Sequence, residues 1–365
     1  MTSVHPWDDT RIFRKMCRWL TAAGHEVHLV ATGGDEKKMV DGVRVHLLSA
    51  EKGRWRRMTS TSWRVFKKAL GLRAGVYQFH DPELLPHGML MALLGRRVIY
   101  DAHEDAPRDL LIRDYLPRPI RRLASAGIAL AEWVGSRFFF SAVVAATPLI
   151  GRRFPKHKTR VVHNYAVVEP EAEDLLEGYE DRPPHFAFVG AMSWGRGMEE
   201  MVRSIGKVKM AGARLVVAGP RVFFGRDEQG PENFPGWDRV QERGVVSAQE
   251  VGEIYRSTRA GLILFLPGPN HDDALPNKLF EYMAAGLPLI VSDIPLWRRM
   301  VEEVRCGLLV DPRDIDAVAN AMDWILEHPE EALEMGRRGA RAARERFNWD
   351  GEARQLEQLY REVMD

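Results

Sequence analysis

Residues 272–293, DDALPNKLFEYMAAGLPLIVSD, combine residue types and spacing that could do chemistry. They read as a loop, a helix starting near Pro276, a Gly-Leu-Pro stop and a buried strand at 289–291. Proline suits the first turn of a helix, where its missing N–H would have no partner. A helix starting there points free backbone N–H groups, and the positive end of its dipole, into the preceding loop. That makes an anion site. Lys278 adds a full positive charge in the first turn, and Glu281 lies one turn beyond Asn277 and Lys278, on their face. Asp273 stands eight positions before Glu281, at the end of the loop. Amides and a lysine can hold a diphosphate while carboxylates accept bonds from hydroxyls, a combination that suits a nucleotide-sugar.

A second segment, 186–197, reads FAFVGAMSWGRG: a strand, a glycine-bearing loop and the start of a helix. Gly190, Gly195 and Gly197 permit close backbone approach, and Arg196 offers a fork that can grip phosphate with two bonds. In the first half, two strand-like runs each end in a histidine. They are FHDPE, with His80 and Asp81, and YDAHEDAP, with His103. Asp8, Asp9 and Arg11 in the first loop either face an acceptor or cap the start of a helix.

The acidic-x7-Glu spacing of Asp273 and Glu281 resembles the signature of retaining GT-B glycosyltransferases, especially glycosyltransferase family 4. The resemblance extends over nearly the whole chain. It implies that Asp273 contacts the donor sugar, where the family usually has Glu, and that Glu281 contacts the nucleotide ribose. The family often carries two cations on the diphosphate after the strand at 186–189; here Ala191 takes the first position and Arg196 the second. The resemblance also places His103 on the transferred sugar. It implies a front-face reaction in which a donor phosphate oxygen takes the acceptor proton. Gly190, Arg196, Gly197, Asn277, Lys278 and Glu281 are thus the expected donor-binding set. His103, Asp273 and Arg196 are the expected catalytic set, and Asp9, Arg11 and His80 the expected acceptor contacts. No cofactor is expected beyond the nucleotide-diphosphate-sugar substrate, and no metal site is evident.

The elements that must position these residues alternate between short apolar runs and helical patterns, which implies α/β architecture with parallel sheets. Strands are expected at 27–31, 43–48, 76–79, 98–100, 142–146 and 160–162. A second set is expected at 186–189, 215–218, 261–265, 289–291 and 308–310. Two doubly wound, Rossmann-like domains facing a cleft follow from this reading and the resemblance. They are an acceptor-binding domain at 1–168, an acidic, proline-bounded linker at 169–184 and a donor-binding domain at 185–347. A final helix at 348–365 would cross back to the first domain. The first helical pattern starts near Asp8, leaving only residues 1–4 for an opening strand.

The 365-residue chain is 45% hydrophobic and 28% charged, the composition of a soluble globular protein. Two cysteines, Cys17 and Cys306, exclude a disulfide framework and fit a reducing cytosol. The net charge of +1 conceals a split: residues 1–168 hold 28 basic and 15 acidic residues, the remainder 24 and 36. An anionic partner for the first half is therefore expected. The stretch 52–73 mixes eight cations with Trp55 and Trp63, as an interfacial membrane segment does. The expected protein is a cytoplasmic transferase, peripheral at the inner face of the membrane and acting on a glycan or lipid-linked acceptor. No nucleic-acid motif is present. Alternatives are a nucleotide-sugar epimerase or glycoside phosphorylase on the same fold, and a non-catalytic nucleotide-sugar-binding protein.

Overall fold

The computed structural model describes residues 1–33, 39–49, 51, 53, 56–112, 117–168, 176–223, 230–268, 271–272 and 274–365. The chain divides into two compact units, Met1–Asn164 with Trp349–Asp365, and Tyr165–Asn348. Of the stretch read as a linker, residues 176–184 pack on the second unit: Tyr179 is buried and donates to the Arg259 carbonyl, and Arg182 donates to the Tyr255 and Thr258 carbonyls.

In the first unit, β3 (Val76–Phe79), β4 (Arg97–Ala102), β5 (Ala142–Ala145) and β6 (Thr159–Val161) form a parallel sheet in that order. β1 (His28–Thr32) and β2 (Arg44–Leu48) form a parallel pair. Residues 1–3 lie between the two groups. The Thr2 amide bonds to Val30 O on β1 and the Met1 ammonium to Gln78 O on β3. Successive strand residues point to opposite faces. Tyr77, Phe79, Val98 and Tyr100 enter one core, while Ile99, Val144 and Val162 enter another. The helix Trp349–Met364 covers that second face with Trp349, Ala353, Leu356 and Leu359. Burying each such leucine contributes about 1.5–3 kcal/mol. The first helical stretch, whose pattern starts near Asp8, divides: Thr10–Cys17 winds in wide π turns and Arg18–Ala22 is α-helical.

In the second unit, six parallel strands run in the order β12-β11-β10-β7-β8-β9. They are β7 (His185–Val189), β8 (Arg214–Ala218), β9 (Val240–Glu242), β10 (Ala260–Ile263), β11 (Leu289–Ser292) and β12 (Gly307–Val310). The chain winds outward from β7 through β8 to β9, then returns to β10 on the other side. The direction of winding therefore reverses between β7 and β10. A doubly wound sheet opens its ligand crevice at the carboxyl ends of the strands beside such a reversal.

Candidate functional site

The residues expected to hold a donor converge on the reversal between β7 and β10. The helix Asn277–Ala284 begins one residue later than expected, with Pro276 as its N-cap and no side chain capping its N–H groups. Tyr282 fixes its place. The Tyr282 ring occupies the space that a Cβ on Gly261 of β10 would need, 2.3 Å from that position. Its hydroxyl donates to Ala187 O at 3.3 Å and accepts from the Val189 amide at 3.1 Å, at the end of β7. Lys278, one turn earlier on the same face, then lies over the Phe188 ring at 5.2 Å. Its Nζ sits where a Cβ on Gly190 would fall, 2.1 Å from that position. Gly190, at φ 134°, is therefore both a conformational and a steric requirement for this lysine.

Arg196 reaches the same place from the loop after β7. Its Nη1 donates to Ala191 O at 3.1 Å and its guanidinium stacks 5.6 Å from the Phe265 ring. Gly197, at φ 75°, opens the helix Met198–Lys207 and lets its backbone pass Leu264 O at the end of β10; a Cβ would come within 2.0 Å of that oxygen. Burial and the nearby Arg196 charge draw Lys278 down to about 8, against the opposing pull of Glu281. Burial also lowers Arg196. Neither cation has an ion-pair partner within 4 Å among the described residues. Two desolvated positive groups beside an uncapped helix start form a site that favours an anion. Glu281 lies next to them, accepting a long 3.5 Å bond from the Tyr255 hydroxyl. Asp273 lies outside the described residues.

Sequence reasoning missed several residues that shape this site. His271 bonds Leu266 O through Nδ1 at 2.7 Å and its ring lies 5.0 Å from Phe265. The Leu266 amide bonds Gly195 O at 2.9 Å, and Trp297 Nε1 donates to Ala274 O at 2.7 Å, so both ends of the loop are pinned. Tyr255, Tyr282 and Phe265 look like ordinary core aromatics in sequence. Only the spacing of Tyr282 four residues after Lys278 hints at a shared face.

The first unit also gathers its expected site residues at strand ends, but pairs them with one another. Asp101 is fully buried and receives Arg11 Nε at 3.0 Å, Arg11 Nη2 at 2.8 Å and His80 Nδ1 at 2.8 Å. Arg11 Nη1 donates to Val162 O. Arg11, expected at the acceptor, is 4% exposed and ties the first helix to β4 and the end of β6. Burial would raise Asp101, but Arg11 and His80 hold it well below the usual carboxylate range. Burial lowers His80 to about 4, against the pull of Asp101, so His80 stands as a neutral, buried partner of Asp101. Asp9 caps the first helix, accepting from the Arg11 and Ile12 amides at 2.8 and 2.9 Å.

His103 is half-buried beyond β4. Its Nε2 faces His5 Nε2 at 3.2 Å and its Nδ1 lies 3.3 Å from Asp101 O. Burial would lower His5, but the Asp9 bond and the Asp81, Asp9 and Glu104 charges push it up to about 9. His80, Asp101 and His103 bring one donor atom each within 4.8 Å of one another. The Asp101 carboxylate in that group is already occupied by a guanidinium and an imidazole, which a metal would have to displace.

Two Rossmann-like units, one with a cationic site at its strand reversal, define the class: a GT-B-type fold. Comparison with known proteins agrees. The family model described as glycosyl transferases group 1 matches residues 183–328, and the glycosyl transferase 4-like domain matches 10–165. The chain belongs to these GT-B glycosyltransferases and resembles family 4. It is 25% identical over 305 residues to the D-rhamnosyltransferase WbpZ of Pseudomonas aeruginosa, covering 79% of this chain and 74% of that one. It is 24% identical over 189 residues to an uncharacterized glycosyltransferase of Methanocaldococcus jannaschii, covering 52% of this chain but 47% of that one. In fold it is similar to sucrose-phosphate synthase from Thermosynechococcus elongatus, with a TM-score of 0.70, 19% identity and coverage of 95% and 91% of the two chains. It is also similar to HepE from Anabaena, solved in complex with UDP-glucose. There the TM-score is 0.63 at 14% identity, covering 88% and 87%.

Proposed function

We propose that this glycosyltransferase is a retaining enzyme. It moves a sugar from a nucleotide-diphosphate donor to a hydroxyl of a glycan or lipid-linked acceptor, in cell-surface polysaccharide or glycolipid synthesis. One observation carries the reading: Lys278 and Arg196 are held together at the β7–β10 reversal, beside an uncapped helix start, with no ion-pair partner among the described residues. The bond between the anomeric carbon and the diphosphate oxygen breaks as the acceptor oxygen attacks from the same face. The acceptor proton passes to the departing phosphate. Negative charge grows on the diphosphate, where two fixed cations and backbone N–H groups stabilise it without reorganising. Glu281 holds the ribose, and the resemblance assigns Asp273 and His103 to the transferred sugar. The reading invokes no metal and places the protein at the cytoplasmic face of a membrane. The UDP-glucose bound by HepE supports a nucleotide-sugar as the donor class.

The test is a thermal-shift panel of UDP-, GDP-, ADP- and TDP-sugars, since a ligand that binds the folded state raises stability by mass action. One nucleotide-sugar should raise Tm in the parent protein and not in Glu281→Ala. No shift with any of them would sink the donor site. Product NMR then reads the anomer: an inverted product overturns retention and leaves the donor site standing.

A further inference from the structure

The helix Arg118–Val134 faces the wrong way for a simple core helix. Its inner side carries Ser125, whose hydroxyl bonds Pro107 O at 2.8 Å, and Glu132. Glu132 accepts from the Tyr100 hydroxyl at 2.8 Å and pairs with Arg153. Ile128 and Ala131 supply the apolar contact to the core. The outer side carries larger apolar groups: Leu123 is 76% exposed and Leu130 61%, with Ile120 and Trp133 also exposed. Phe138, just beyond the helix, is 69% exposed. Positions 123, 126, 127, 130 and 133 recur at helical spacing, so they form one stripe along the helix.

The stripe is bordered by cations. Arg118, Arg122 and Arg137 are exposed, and the Arg137 guanidinium stacks 4.6 Å from the Trp133 ring. The only acid between 117 and 138 is Glu132, which is turned inward. An exposed apolar stripe with a tryptophan, edged by arginines and free of outward carboxylates, is built for an interface between water and lipid. Trp at the headgroup level and arginines against anionic lipid satisfy both parts of the surface. No helix among the described residues is long and apolar enough to cross a membrane, so this one would lie on the surface. A second copy of the chain would bring these arginines against their own kind, which disfavours self-association there.

We propose that the outward face of Arg118–Val134, with Phe138, docks the first unit on an anionic lipid bilayer. The assignment names the membrane surface of the proposed enzyme, but it does not depend on the donor site. It places a contact outside 52–73. There Lys52, Arg54 and Trp55 lie outside the described residues, and the helix Ser62–Gly71 buries Val65, Phe66 and Ala69 while Trp63, with Lys67 Nζ 5.5 Å over its ring, stays exposed.

The experiment is co-sedimentation of the full chain with vesicles of phosphatidylcholine alone and of phosphatidylcholine with phosphatidylglycerol. The parent should pellet with the anionic vesicles and be released by salt. Leu123→Ser/Leu130→Ser/Trp133→Ser should lower the bound fraction about tenfold with Tm unchanged, because the replaced groups face solvent. Arg118→Glu/Arg122→Glu should do the same without touching an apolar residue. Donor binding, read by nucleotide-sugar thermal shift, should persist in both. Equal pelleting with the two vesicle types overturns the proposal. So does undiminished binding by both variants, or loss of binding in Lys67→Glu/Lys68→Glu alone. A dimer of the parent that the serine variant converts to monomer would give the face to a second copy and overturn it as well.

Discussion

The two units each place charged groups at the carboxyl ends of strands, yet they resolve them in opposite ways. In the first, Arg11 and His80 bond Asp101 at 3.0 and 2.8 Å, and His5 lies 3.6 Å from Asp9 and 3.4 Å from Asp81. In the second, Lys278 and Arg196 lie close enough to lower the lysine, with no carboxylate bonded to either among the described residues. Buried charge must be compensated. Where the chain supplies the partner, the group maintains the fold; where it does not, a ligand can supply it. This contrast reads function from electrostatics and does not require a recognised motif.

The contrast breaks most visibly at Arg11. Arg11→Ala leaves the Asp101 carboxylate buried without its main partner, which should cost about 3–5 kcal/mol of stability. Urea denaturation measures it as a lower midpoint with an unchanged slope. A loss of activity with full stability would move Arg11 from the fold to the reaction.

Arg196→Ala should leave stability near normal and raise the barrier to transfer by about 3 kcal/mol, the scale of one lost oxyanion donor. Turnover is the readout. Near-normal turnover would mean that another group neutralises the diphosphate.

Glu281→Ala should weaken donor affinity by about 1.5–3 kcal/mol, the worth of hydrogen bonds to a charged acceptor. Calorimetry on the folded variant checks this. Unchanged affinity removes the ribose role.

The smallest effect is a pH dependence. Lys278 titrates near 8 in the free protein, and a diphosphate binds its ammonium better than its amine. Donor affinity should therefore be level below about pH 8 and fall above it, by at most about tenfold per pH unit for one proton. Lys278→Arg should flatten that fall, because guanidinium stays charged across this range. A flat profile in the parent protein would show that the lysine is not a phosphate ligand.

Much of the candidate cationic site was legible because it is local. Gly190, Arg196 and Gly197 lie in one turn after one strand, and Asn277, Lys278 and Glu281 lie within two turns of one helix. Periodicity and glycine placement report such neighbours directly. The first unit was less legible because its contacts are distant in sequence. Arg11 meets Asp101 across 90 residues and His5 meets His103 across 98. No spacing rule signals that pairing. The edge strand β9, three residues long, and the charge-rich helix Pro295–Val304 also went unread, since short or heavily charged elements carry weak periodicity.

By itself the sequence determined the α/β alternation, the strand–glycine–helix turns and the residue types that could hold a phosphate, since these depend on neighbours within a turn or two. Tertiary structure alone decided which charges are free. Tyr282 locks its helix on Gly261 and so sets Lys278 against Gly190, while Arg11 is closed onto Asp101. The outward turn of Leu123 and Leu130 was likewise settled only when Ser125 and Glu132 found partners inside. Whether a polar group is satisfied depends on what folds against it, and that is a property of packing across the chain.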